Sequence, residues 1–324
     1  MFTLFVWYAF IIFTFSIWLT ASEPGRNTGE KKQKKTPYEY VNPFIGTGGE
    51  GHTYPGAVLP FGMVQLSPDT TIKHYKKNFR WCAGYQYGDP TILGFSHTHF
   101  SGTGHSDLGD LLIMPTTGKI QTGSGSEKDP DSGYRSRYSH HEEEASPGYY
   151  AVVLKDYHIK AELTVSKRVG FHKYTYPKSG HAHIIMDLVH SIHNYDDKVI
   201  WTQMRVENDR LITGFRQTRG WAETRYFYFA IRFSKPFDSY GFDKDDETTY
   251  HYTKTGDYIT NQPEIAGKKI KAFVDFKTAA GETTYVKVGI SGVDTAGALK
   301  NLDTEIPHWD FDRVRTDARA LWAA

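Results

Sequence analysis

Between Arg80 and Gly109 the chain reads RWCAGYQYGDPTILGFSHTHFSGTGHSDLG. This one stretch gathers Trp81, Cys82, Tyr85 and Tyr87, then His97, His99 and His105, with Asp89 and Asp107, and sets glycines between them. Glycine lets a backbone turn sharply and approach a ligand closely. Aromatic rings beside polar residues suit sugars, because they offer a flat apolar face with hydrogen-bonding groups at its edge. A metal site, a hydrolytic carboxylate pair and a carbohydrate-contacting wall are the chemistries to weigh.

His97 and His99, spaced i, i+2, would share one face of a strand, and His105, Asp107 and Asp110 follow closely. His and Asp are common metal ligands. No tight ligand signature such as HExxH is present, however. These residues are therefore read as polar contacts of a sugar pocket or of a domain interface, and no metal ligand is nominated. Inverting glycoside hydrolysis uses two carboxylates about 6.5–9.5 Å apart. Asp69, Asp89, Asp107 and Asp110 are the nearby candidates. Nothing in their spacing sets two of them at that separation, and aspartates in Gly- and Ser-rich loops commonly cap turns. No catalytic pair is nominated. There is no nucleophile elbow, phosphate loop or dinucleotide fingerprint. Cys82 is the single cysteine, which rules out an internal disulfide framework. Trp81 could be core, but its glycine and polar neighbours favour a ligand platform.

The elements that must position this stretch read as strands. A short aromatic strand is expected over Tyr38–Ile45, ended by a second Gly-rich loop, Gly46 to Ala57. Met63–Ser67, Leu93–His99 and Leu111–Met114 are further strands, and Gly123–Ser146 a long surface loop. Its His140–Glu144 run is read as a solvated edge. Ile159, Ala161, Leu163 and Val165 alternate with Lys160, Glu162, Thr164 and Ser166, which predicts a strand with one wet face. Antiparallel candidates continue to Ile290, with a tight turn at Asn208–Asp209. Asp294–Leu302 and Pro307–Ala324 read as helices. In the second, Phe311, Val314, Ala318, Leu321 and Trp322 form one apolar stripe that needs a partner surface, either the sandwich or a domain beyond this chain. Roughly twelve alternating strands over ~260 residues point to a large antiparallel β-sandwich.

Composition narrows the partners. With 38 Lys+Arg against 37 Asp+Glu, no charge bias calls for nucleic acid or an anionic membrane. Aromatics at 15%, with 22 tyrosines, favour strands and sugar-like ligands. Met1–Thr20 is apolar and uncharged and is followed by small residues, so residues 1–22 read as a secretory signal. An uncleaved anchor formed by residues 1–20 is the alternative. Residues 23–36 read as a polar flexible linker.

YVNPFIGTGGEGHTYPGAVLPFGMVQLSPDT, RWCAGYQYGD and ILGFSHTHFSGTGHSDLGDLLIMPTTG resemble the N-terminal domain of glycoside hydrolase family 92. So do LTVSKRVGFHKYTYP and the ending IPHWDFDRVRTDARALW. The resemblance implies an exported, exo-acting, calcium-dependent, inverting α-mannosidase acting on mannose-terminated N-glycans or mannans. It also implies a β-sandwich of the galactose-mutarotase-like supersandwich type over residues 37–292. Residues 293–324 would be a helical linker to a catalytic (α/α)6 barrel. The barrel carries the family's acid and base and most calcium contacts, and no counterpart of it is found in this sequence. The chain alone is expected to be inactive, with a freestanding carbohydrate-binding module as the alternative. Trp81 matches the tryptophan that lines the terminal-mannose subsite. Cys82, Gly84, His97, His99 and His52 are taken with it as substrate-contacting residues. His105 stands where many relatives have cysteine.

Overall fold

Alternation of apolar and polar residues builds two sheets here, and burial of their facing sides builds the core. The computed structural model describes residues 35–49, 51–70, 73–74, 83–102, 107–243, 258–260 and 262–324. The signal and most of the linker expected before residue 35 lie outside the described residues.

Among the described residues one sheet has eight strands, in the order Ala57–Val58, Gln65–Asp69, Gly94–Ser96, Leu112–Thr117, Ser179–Asp187, Lys271–Thr278, Ser239–Asp243, Tyr258–Ile259. The other has nine, in the order Glu264–Gly267, Val199–Asn208, Leu211–Thr218, Arg225–Phe233, Glu282–Ser291, Val169–Tyr176, Ile159–Val165, Tyr149–Leu154, Glu143–Ser146. Every pairing in both sheets is antiparallel. Phe95, Ile113 and Ile185 of the first sheet and Tyr150, Tyr174 and Val288 of the second share one buried core. The expected large β-sandwich is what forms. The Asn208–Asp209 turn is present too, with the Asn208 side chain accepting the Arg210 N–H.

Three helices complete the unit: α1 (Pro37–Tyr40), α2 (Thr295–Glu305) and α3 (Phe311–Ala323). The aromatic strand expected at Tyr38–Ile45 is not formed. Pro37 at the first helical position and reciprocal capping between Thr36 and Glu39 close a helical turn instead. Asp294 caps α2 and Asp310 caps α3, each accepting a backbone N–H three residues on.

The first three residues of the stripe on α3 find their partner in the sandwich, while Leu321 and Trp322 stay exposed. Phe311, Val314 and Ala318 are buried, and the Phe311 ring lies 5.3 Å from that of Phe171. The Arg315 guanidinium stacks 3.5 Å over Tyr149, and the Trp322 indole N–H donates to the Val58 carbonyl at 2.7 Å. This docking corrects the reading of Ile159–Val165. Its outer face is covered rather than wet, so Glu162 and Thr164 are buried and only Lys160 is exposed. Glu162 is satisfied there by the Tyr149 hydroxyl and Lys173. The Gly123–Ser146 loop is also more structured than its polarity suggests. Tyr134 is fully buried and donates to Asp187 at 2.8 Å.

One polar chain crosses the core between the sheets. His97 Nδ1 lies 2.8 Å from the Leu111 carbonyl, which can only accept, so Nδ1 donates and Nε2 accepts. His172 Nε2, 3.0 Å away, must then donate, and its Nδ1 accepts the Tyr174 hydroxyl at 2.7 Å. Both rings are neutral in this arrangement. Burial pushes His97 down to about 4 and His172 well below its ordinary value.

Two outcomes follow from this packing. Phe311→Ala should destabilise the fold by about 3–5 kcal/mol, read as a lowered urea midpoint. For His97, the unfolded chain takes up a proton near pH 6.5 that the folded chain refuses until about 4. Its contribution to stability is complete above 6.5 and is lost as the pH falls toward 4. Denaturation midpoints should decline across that window, and His97→Gln, which keeps a donor for Leu111, should make the decline shallower.

Candidate functional site

The Gly-rich stretches meet at one end of the sandwich, and a buried carboxylate holds them together. Asp69 is the last residue of its strand and has no exposed surface. His99 Nε2 lies 2.8 Å from its Oδ1, and His190 Nε2 lies 2.7 Å from its Oδ2. His99 Nδ1 faces the Gln65 carbonyl at 2.8 Å. Both partners of His99 can only accept, so both of its ring nitrogens donate. Burial opposes ionisation of Asp69, but the charges of His99 and His190 outweigh it and hold the carboxyl well below its usual range.

Gly84 seals this group from above. Its φ is +85°, and a Cβ there would stand 2.1 Å from Asp69 Oδ1 and 3.0 Å from the His99 ring. Only glycine meets both demands. The Gly84 carbonyl accepts the Thr70 N–H at 2.9 Å, which ties Gly84 to the end of the Asp69 strand. The Gly46–Ala57 loop packs on the same imidazole: the Tyr54 ring lies 4.9 Å from His99, and the His52 carbonyl accepts the Gly102 N–H at 2.9 Å. Tyr87 N–H donates to the Thr47 carbonyl and Gln86 to that of Gly49, joining the two loops again.

A second buried carboxylate secures the far side of the stretch. Asp110 accepts the Thr98 hydroxyl at 2.6 Å and Arg225 at 2.7 Å, with the fully buried Arg216 at 3.6 Å. Arg216 also donates to the Gly109 carbonyl at 3.0 Å. Burial beside Arg216 pushes Lys198 down to about 7.

The sequence-nominated residues fall into three groups. Trp81 and Cys82, with His105, lie outside the described residues. Gly84, His97 and His99 are buried; the two histidines serve separate networks, not one shared face, because the strand ends at Ser96. His52 is half-buried at the junction, and its Nδ1 has no partner among the described residues. The four candidate aspartates each have structural partners: Asp69 and Asp110 as above, Asp89 with Thr70, and Asp107 with the backbone of Trp221 and Ala222. Among the described residues no cluster of His, Cys, Asp or Glu could hold a metal ion. With Asp69 taken up by two imidazoles and Asp110 by two guanidinium groups, the described residues at this end of the fold do not fit a calcium site.

Residues beyond the nominated set also contribute. His190 and Arg225 lie far along the chain, and no local motif marks them. The run His140–Glu144, read as a solvated edge, is corrected at Glu143. That side chain is 1% exposed. It receives the hydroxyls of Tyr85 and Tyr150 and sits 2.6 Å from His140 Nδ1. His140 stacks flat on Tyr87 at 3.8 Å. Tyr87, His140 and Glu143 line, with Asn42, Phe44 and Ile45, an open groove of about 510 Å³.

The Glycosyl hydrolase family 92 N-terminal domain matches residues 40–291. A family 92 α-mannosidase from Bacteroides thetaiotaomicron, solved in complex with mannoimidazole, is 40% identical with a TM-score of 0.79, over 89% of this chain and 37% of that one. An inverting mannosidase of the same family and organism shares the fold at 24% identity and a TM-score of 0.69, over 90% of this chain and 36% of that one. An uncharacterized secreted glycosidase of Arthroderma benhamiae is 27% identical, over 87% of this chain and 37% of its own length. The chain thus spans little more than a third of each of these relatives. It belongs to glycoside hydrolase family 92, through that family's N-terminal domain.

Proposed function

We propose that this chain is the sugar-contacting wall of an exported α-mannosidase that removes terminal mannose from N-glycans or mannans. The observation that carries the reading is the junction at Asp69 and His99. There the Gly46–Ala57 loop and Gly84 pack against one buried ion pair. Such anchoring preorganises a loop for a ligand. Trp81, three residues before Gly84, is the aromatic platform for the terminal mannose. A 40% identical relative holding mannoimidazole supports this choice of sugar. Inverting, calcium-dependent hydrolysis belongs to the complete enzyme, whose acid and base are not assigned to any residue here. Export follows the apolar stretch at residues 1–20 and agrees with a relative described as secreted.

A second reading, a freestanding carbohydrate-binding module, is favoured by α3, whose Phe311, Val314 and Ala318 are buried on the sandwich, although Leu321 and Trp322 stay exposed.

The purified chain should release no mannose from an α-mannoside with calcium added. It should bind oligomannose, measured by calorimetry, and Trp81→Ala should abolish that binding without lowering the melting temperature. Millimolar affinity fits the wall of a larger pocket, and micromolar affinity fits the module. Turnover that disappears in Trp81→Ala contradicts the claim that the chain is inert alone. Binding that survives Trp81→Ala contradicts the platform.

A further inference from the structure

The Gly46–Ala57 loop is gripped toward its far end by the His99 junction, through Tyr54 and the His52 carbonyl. Its first residues are held differently. Gly48 and Gly49 offer no side chain to hold, and Gly49 adopts φ +60° where a Cβ would meet nothing within 4 Å. Such a stretch samples many conformations unless hydrogen bonds select one. The selecting bonds come from one neighbouring segment. The Tyr87 N–H donates to the Thr47 carbonyl at 2.9 Å, and the Gln86 side-chain amide to that of Gly49 at 3.0 Å. The Phe44 ring, just before the loop, meets the Tyr87 ring edge-on at 6.0 Å.

Residues 85–87 are held in turn by a pair that belongs to neither Gly-rich stretch. His140 and Glu143 stand where a short 3-10 turn, His140–Glu142, runs into the edge strand Glu143–Ser146 of the nine-stranded sheet. His140 Nε2 lies 2.8 Å from the Tyr87 carbonyl, and Nδ1 lies 2.6 Å from Glu143 Oε2. A carbonyl and a carboxylate both accept, so both ring nitrogens donate. The imidazole also lies flat on the Tyr87 ring, with centroids 3.8 Å apart and planes within 3°. Residue 87 is therefore gripped by its backbone and by its side chain. Glu143 accepts the Tyr85 hydroxyl at 3.0 Å and that of Tyr150, on the adjacent strand, at 2.6 Å. Tyr85 and Tyr87 thus both end on this pair, and a paired strand supports it more firmly than a loop could.

We infer that His140 is a positioning residue for glycan binding: acting through Tyr87, it holds Thr47–Gly49 in the conformation that receives the sugar. No contact between His140 and the sugar is required. This assignment rests on the proposed function, in which the Gly46–Ala57 loop meets the glycan, and adds to it the joint that fixes the start of that loop.

Hydrogen–deuterium exchange of the ligand-free chain and calorimetric titration with oligomannose test it together. His140→Ala should speed exchange over residues 44–49 and 85–88 and leave both sheets and the melting temperature unchanged. It should weaken oligomannose binding roughly three- to tenfold, the range of one lost hydrogen bond. His140→Gln, whose amide N–H can still donate to the Tyr87 carbonyl, should recover most of that loss. Unchanged exchange over residues 44–49 in His140→Ala overturns the inference whatever the affinity. Faster exchange there with unchanged affinity also overturns it and leaves the proposed function standing. Loosening across both sheets with a lowered melting temperature makes His140 a structural residue only and overturns it as well. Failure of the unmodified chain to bind oligomannose overturns the proposed function, and the positioning role with it.

Discussion

A carboxylate removed from water is costly unless charge and hydrogen bonds replace its hydration. Asp69 has both of its oxygens met by imidazole N–H groups, at 2.8 and 2.7 Å, from residues 30 and 121 positions away along the chain. That single group fixes where three separate segments converge. His99 brings the loop after Ser96, His190 brings the end of the Ser179–Asp187 strand, and Gly84 brings the segment that follows Trp81. Loss of either imidazole would leave a buried charge half-paired, so the junction is held as a unit. The loops above it can then be rich in glycine without being left to wander.

The same logic recurs at Asp110 and at the His97–His172–Tyr174 chain. Asp110 takes Thr98 and Arg225, and His97, His172 and Tyr174 form one chain of hydrogen bonds. Together they tie the eight-stranded sheet to the nine-stranded one across an otherwise apolar core. Satisfied networks of this kind specify one arrangement, because any shift leaves a donor or acceptor unmatched. The described loop residues at this end hang on those polar joints, and the sandwich beneath them supplies the framework.

Much of this was legible in the sequence. Strict alternation in Ile159–Val165 located a strand, and the stripe on Phe311, Val314 and Ala318 located a helix in need of a surface. The two facts together held the information that the sequence reading did not combine. The helix covers the strand, and so Glu162 and Thr164 are buried. Tyr38–Ile45 was misread because aromatic content outweighed the capping signal at Thr36 and Glu39. The spacing of His97 and His99 implied a shared face only if the strand continued, and it stops at Ser96. His190, Arg216 and Arg225 could not be found locally, since their partners are brought to them by sheet pairing over more than a hundred residues. The family motifs, by contrast, were long enough to identify the domain before any contact was known.

The central claim is that sugar meets this chain at the loop end held by Asp69, not on the outer faces of the sheets. Hydrogen–deuterium exchange of the chain with and without oligomannose tests it directly. Slowed exchange confined to peptides covering Gly46–Ala57 and Arg80–Gly109 is the predicted result. Protection elsewhere, over the Val199–Asn208 strand or α2, with those loops unchanged, would contradict the account.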